Sequence, residues 1–219
     1  MADQTSVTAV AAGTIGIGGD LTVNRLGFGA MRITGRGIWG EPADRDEAKA
    51  VLRQAVELDV NFIDTADSYG PHVSEELIAE ALHPYPEDLV IATKGGLERT
   101  GPNRWPSNAR PDHLKEACDG SLRRLRLEQI PLYQLHRPDP SVPLEESVGT
   151  LVQLREQGKI RHIGLSEVTV DDGATTVRIR RDGTGGQVWQ RRVGVGANTA
   201  GISGHGARVR AADIRPAEK

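Results

Sequence analysis

The sequence predicts an α/β fold built from parallel βα units, and three observations carry that prediction. Over residues 1–171, apolar runs of strand length alternate with amphipathic stretches of helix length. Runs such as Leu89–Thr93 are apolar on consecutive positions, as expected of strands buried on both faces. Chemically capable polar residues stand where these runs end, at Asp64, Lys94 and His136.

Composition narrows the function classes. The chain has 219 residues and a formal net charge of −3, which suits one core better than two domains with linkers. A near-neutral balance argues against a nucleic-acid partner, and no apolar run approaches the ~20 residues of a membrane span. One cysteine excludes a disulfide framework. The first 19 residues lack the basic start of a secretory signal, so a cytoplasmic location is expected.

The elements follow in order. Thr14–Ile17 and Leu21–Val23 flank Gly18-Gly19-Asp20 and predict a hairpin. Leu26–Met31 reads as the first strand of the main sheet. Asp44 caps a helix, with Glu47 as reciprocal partner and Ala48, Val51, Leu52, Ala55 and Leu58 on one apolar face. Phe62–Ala66 is the second strand, and a helix over Glu75–Leu82 must stop by Pro84. Leu89–Thr93 is the third strand. Pro111 suits the first turn of a helix that buries Leu114, Ala117, Cys118 and Leu122. Leu132–Leu135 is the fourth strand, Pro143 opens a helix that ends at Gly158, and Ile160–Leu165 is the fifth. At this level an open sheet and a closed barrel are both allowed.

The pattern breaks near Asp171. Residues 172–219 hold 9 Gly, 8 Arg and no Leu, and their charge is +5 (9 basic less 4 acidic), against −8 for residues 1–171 (18 basic less 26 acidic). No periodicity persists there. A disordered or out-of-frame tail is expected, with a natural Gly/Arg-rich tail as the alternative. The domain division is therefore 1–171 and 172–219.

Parallel strands end at one face, so Asp64, Tyr69, Lys94 and His136 should converge. A phenol is a weak acid, with a reference pKa of ~10, and a neighbouring ammonium makes it a better proton donor. Asp64 can keep Lys94 charged, and His136 can hold a substrate oxygen near the Tyr69 hydroxyl. Such a set suits protonation of a carbonyl oxygen as hydride reaches its carbon. Taken singly, Asp64 could cap a turn, Tyr69 could pack beside Gly70-Pro71, and His136 could satisfy a backbone carbonyl. Cys118 reads as buried packing, and Arg123, Arg124 and Arg126 as a solvated helix end. His72, His83, His113, His162 and His205 show no metal-ligand spacing, so no metal is expected.

The runs Asn61-Phe62-Ile63-Asp64-Thr65-Ala66-Asp67-Ser68-Tyr69-Gly70, Ile91-Ala92-Thr93-Lys94, Leu132-Tyr133-Gln134-Leu135-His136 and Ile163-Gly164-Leu165-Ser166-Glu167 resemble the aldo-keto reductase superfamily. Gly37-Ile38-Trp39-Gly40, Tyr69-Gly70-Pro71-His72-Val73 and Ala81-Leu82-His83-Pro84-Tyr85 are similar to its pyridoxal reductase-like branch. The resemblance implies an α/β fold that is a partial (β/α)8 TIM barrel, with about five βα strands after the hairpin and an irregular tail. It implies an NADPH-dependent oxidoreductase, NADH being the second option, that reduces an aldehyde or ketone. Tyr69 is then the general acid, with Asp64, Lys94 and His136 as its partners. Ser166 matches the serine that binds the nicotinamide carboxamide, Glu167 stands where relatives carry Asn, and Asp64 also borders the cofactor.

Members of the family carry eight strands, and the Gln, the stacking aromatic and the phosphate-holding loops of the later strands have no counterpart after Thr169. Gln187 and Trp189 do not take those roles. Five strands leave two unpaired edges and expose apolar faces, at ~25 cal/mol per Å². A marginal or insoluble monomer is expected, since a domain has only ~5–15 kcal/mol in hand. The alternative function is a non-catalytic fragment or a nicotinamide-binding regulatory subunit.

Overall fold

The computed structural model describes residues 7–168 and the strand at 188–190. Strands β1 (Thr14–Ile17) and β2 (Leu21–Asn24) form an antiparallel hairpin, with Ile17 opposite Leu21. Its turn uses Gly18 at φ 67°, and a Cβ there would lie 2.1 Å from the His162 ring. Only glycine lets the hairpin pack this closely. Asp20 binds Arg161 and His162, each at 2.6 Å, and so fastens the hairpin to the start of a later strand.

The main sheet contains β3 (Phe28–Gly29), β4 (Phe62–Asp64), β5 (Val90–Gly95), β6 (Ile130–Leu135), β7 (Ile160–Leu165) and β8 (Val188–Gln190). Each strand pairs in parallel with the next in sequence, so neighbours in the chain are neighbours in the sheet. Helices α1 (Arg45–Glu57), α2 (Val73–Leu82), α3 (Pro111–Leu125) and α4 (Leu144–Glu156) alternate with β3–β7. This is a partial (β/α)8 barrel.

Local chemistry explains the boundaries. The Asp44 carboxylate accepts hydrogen bonds from the Asp46 and Glu47 amides at 2.9 Å each, which satisfies two free donors at the start of α1. Pro111 occupies the first turn of α3, and Arg126 ends that helix in a left-handed conformation at φ 53°. Gly158 turns the chain out of α4 at φ 75°.

Strands β4, β5 and β6 differ by one or two residues at their ends from the sequence expectation, and three larger differences have a physical cause. β3 is shorter than Leu26–Met31 because the chain tightens into a 3-10 turn at Ala30–Ile33 and Leu26 is left exposed. α2 begins at Val73, before Glu75, because the Val73, Ser74 and Glu75 side chains are all buried. β8 adds a sixth parallel strand within the segment that reads as irregular, with Trp189 opposite Gly164. The free edge of β7 presents N–H and C=O groups that can pair with a segment lacking periodicity of its own.

Two apolar clusters fill the space between sheet and helices. One joins Leu52 of α1 and Leu77 and Ile78 of α2 to Ile63 and Ile91. The other joins Leu114 and Cys118 of α3 and Leu151 of α4 to Tyr133, Leu135 and Ile163. Cys118 is part of this packing, and burial pushes its thiol up to about 12.

Candidate active site

Parallel pairing brings the C-terminal ends of four strands to one rim. Asp64 is the last residue of β4, Lys94 the penultimate residue of β5, His136 follows β6 and Ser166 follows β7. The register sets their levels: Asp64 lies beside Ala92, and Lys94 beside Gln134.

Lys94 is 1% exposed, and its ammonium meets the Asp64 carboxylate at 2.7 Å. It also donates to the Thr65 carbonyl oxygen at 2.7 Å. A buried ammonium is costly to desolvate, and these two oxygens offset that cost. Asp64 therefore serves as the Lys94 counter-ion and not as a helix cap, since α2 begins at Val73.

Tyr69 is buried in the loop after β4, where its amide donates to the Ala66 carbonyl and its carbonyl accepts from the Ser74 amide. The Lys94 Nζ lies 5.3 Å from the Tyr69 ring centroid. The His136 ring stands edge-on to Tyr69 with centroids 5.6 Å apart, and Trp105 does the same at 6.3 Å. The His136 amide donates to the Gly95 carbonyl, and its Nδ1 faces the Ser68 hydroxyl at 3.3 Å. All four expected residues, Asp64, Tyr69, Lys94 and His136, thus share one rim.

Ser166 is buried there, its amide donating to the Leu135 carbonyl. Glu167 stands at φ 53° with its carboxylate accepting from Arg137 at 2.7 Å. Gln187 lies outside the described residues, as do the segments expected to follow β7 apart from the backbone of β8.

Sequence reasoning missed Gln134 and Ser68. Gln134 Nε2 donates to Asp64 Oδ1 at 3.1 Å, reaching from β6 past β5 to the same oxygen that meets Lys94. A signal was available: Gln134 is polar within an apolar strand and lies beside Gly164. A Cβ at Gly164 would approach Gln134 Cγ to 2.6 Å. The expectation for Arg124 is corrected, because its guanidinium binds the fully buried Glu75 at 2.7 Å and is not a solvated helix end. A partner 49 residues away leaves no local trace.

Behind the rim, Asp67 is buried, and its Oδ1 has no hydrogen-bond partner among the described residues. Burial, and then the Glu75 charge, pushes its carboxyl up to about 8. The Tyr133 hydroxyl is likewise buried and unpartnered among the described residues. Among those residues no group of His, Cys, Asp and Glu could hold a metal ion, and no helix is long and apolar enough to cross a membrane.

Residues 25–176 match the aldo/keto reductase family. The chain belongs to the aldo/keto reductase family. It is 54% identical over 171 residues to an uncharacterized oxidoreductase of Schizosaccharomyces pombe, covering 78% of this chain and 55% of that protein. It is 43% identical over 158 residues to pyridoxine 4-dehydrogenase of Escherichia coli, covering 69% and 55%. Among solved structures, glycerol dehydrogenase from Gluconobacter oxydans superposes with a TM-score of 0.70 at 35% identity, covering 77% of this chain and 53% of that one. An aldo-keto reductase from Klebsiella pneumoniae in complex with NADPH gives a TM-score of 0.60 at 26% identity, covering 75% and 53%. The chain spans about half the length of these relatives.

Proposed function

We propose that the chain carries the catalytic half of an NADPH-dependent carbonyl reductase, with Tyr69 as the acid that protonates the carbonyl oxygen. The observation that carries this reading is the Lys94 ammonium, held by Asp64 and the Thr65 carbonyl 5.3 Å from the Tyr69 ring. A fixed positive charge beside a phenol favours its anion, so the hydroxyl gives up its proton more readily.

The residues present suit the nicotinamide end of the cofactor. Ser166 is buried at the rim, and the donor and acceptor capacity of its hydroxyl fits a carboxamide. Asp64 and the rim formed by Glu167 would border the same ring. A nicotinamide bound there would supply hydride to the carbonyl carbon. His136, braced by Ser68 on its Nδ1 side, orients the carbonyl oxygen. Tyr69 transfers its proton to that oxygen as the C=O bond becomes C–OH, and Lys94 stabilises the phenolate left behind. Gln134 and Lys94 share Asp64, which holds the carboxylate against the ammonium and fixes both beside Tyr69.

The substrate is an aldehyde or ketone, and pyridoxal is the first to assay, given the relation to pyridoxine 4-dehydrogenase. The test follows loss of reduced-nicotinamide absorbance with pyridoxal, together with quenching of Trp39 and Trp105 fluorescence by NADPH. Y69F should abolish turnover while NADPH quenching persists. Full turnover in Y69F would remove Tyr69 from this role, and quenching without turnover in the wild-type chain would favour a nicotinamide-binding subunit.

A further inference from the structure

The loop after β5, residues 96–110, is long and carries Arg99, a residue the reaction above does not use. Its guanidinium is half-buried and lies 3.6 Å over the Trp105 ring and 5.5 Å from the Trp39 ring. Nη1 donates to the Ser68 carbonyl at 2.8 Å, and Nη2 donates to the carbonyls of Gly37 at 3.3 Å and Gly101 at 3.4 Å. Those acceptors belong to three different loops, which follow β4, β3 and β5. Among the described residues no carboxylate lies within ion-pair distance of Arg99. Its fixed partners are backbone carbonyls and indole faces.

We propose that Arg99 is a positioning residue for the Tyr69 hydroxyl, a single guanidinium that clasps the three loops framing the rim. The inference rests on the reading of Tyr69 as the acid. Ser68, whose carbonyl Arg99 holds, also contacts His136 and directly precedes Tyr69. Trp105, on which Arg99 stacks, stands edge-on to Tyr69. Two further contacts converge on this hub: the Gly40 amide donates to the Gly70 carbonyl, and the Asn103 amide to the Gly37 carbonyl. Arg99 therefore braces Tyr69 through its preceding peptide and through an aromatic neighbour.

A planar fork is required for this task. Lysine keeps the charge and much of the length, but an ammonium cannot stack on an indole while reaching carbonyls on separate loops. Two explanations then separate. If Arg99 acts only through its charge, R99K behaves as wild type. If it acts as a clasp, R99K fails much as R99A does.

The experiment compares wild type, R99K and R99A by hydrogen exchange and by titration of tyrosinate absorbance. Both variants should lose protection in all three segments, residues 34–40, 66–70 and 96–108. Both should also raise the pH at which Tyr69 ionises by about one unit, a tenfold weaker acid. The signal is assignable because burial holds Tyr85 and Tyr133 well above the ordinary tyrosine range, and Y69F removes the first transition. Loss of protection confined to 96–108 would overturn the proposal, as would R99K titrating like wild type. If R99A does not fold, R99K alone decides. Neither measurement needs cofactor or turnover, so an inactive wild-type chain would sink the reductase reading without being mistaken for failure of the clasp.

Discussion

Thr93 and Lys94 are neighbours on β5, yet they serve two ion pairs of opposite character. Lys94 belongs to the rim, where its bond to Asp64 is 2.7 Å long and the carboxylate side chain is 23% exposed. The Thr93 hydroxyl donates at 2.6 Å to Glu75, which is 0% exposed and binds Arg124 at 2.7 Å, joining α2 to α3. Strand alternation sends successive side chains to opposite faces, so one residue step separates the two pairs. The lengths are equal and the surroundings differ. Glu75 has both carboxylate oxygens occupied, by Thr93 and by Arg124, and its charge is fully committed to holding helices together. At the rim the ammonium also faces a phenol, and its partner keeps contact with solvent. Charge enclosed by protein is a fastening, whereas charge left beside an acidic proton and an open mouth can influence a reaction.

Breaking each pair should separate these roles. K94M is expected to lower turnover by about 10²–10⁴-fold, the usual contribution of a positioned acid, in a steady-state assay. Its melting temperature should change less than that of E75A, because Asp64 keeps Gln134 and some water. E75A should cost about 3–5 kcal/mol in denaturant unfolding, since Arg124 is left as an uncompensated, largely buried charge. Equal destabilisation by K94M and E75A would erase the distinction.

Asp67 feels charges of both pairs, those of Glu75, Arg124 and Lys94. Its folded carboxyl is raised to about 8 from an ordinary 3.8, so the folded state prefers the protonated form. This contribution to stability is complete below about pH 4 and is lost as pH rises through about 8. D67N should flatten the dependence of melting temperature on pH across that window. An unchanged slope would show that Asp67 ionises normally. The smallest effect is expected from D44A, about 1 kcal/mol through loss of the α1 cap, with no change in turnover.

Much of the fold was legible because βα units are encoded locally. Ile160–Leu165 and the helix starts at Asp44 and Pro111 follow from apolar runs, a capping carboxylate and a proline at the first turn. β3 was overestimated because a strand and a 3-10 turn draw on similar apolar residues. Asp64, Tyr69, Lys94 and His136 were legible as a set, since parallel strands must deliver their ends to one face. Gln134, Ser68 and Arg99 were not, because each acts on a group 30 or more residues away across a loop or sheet.

By itself, then, the sequence determined the order of strands and helices, the polar residues at the strand ends and the family to which they belong. These are properties of short windows, set by side-chain periodicity and by backbone preferences. Only the tertiary structure decided which face each charge occupies, making Arg124 the partner of a buried carboxylate and Arg99 the clasp of three loops. Pairing partners depend on distance in space, and in a βα barrel that distance is set by strand register and loop docking, which no local pattern contains.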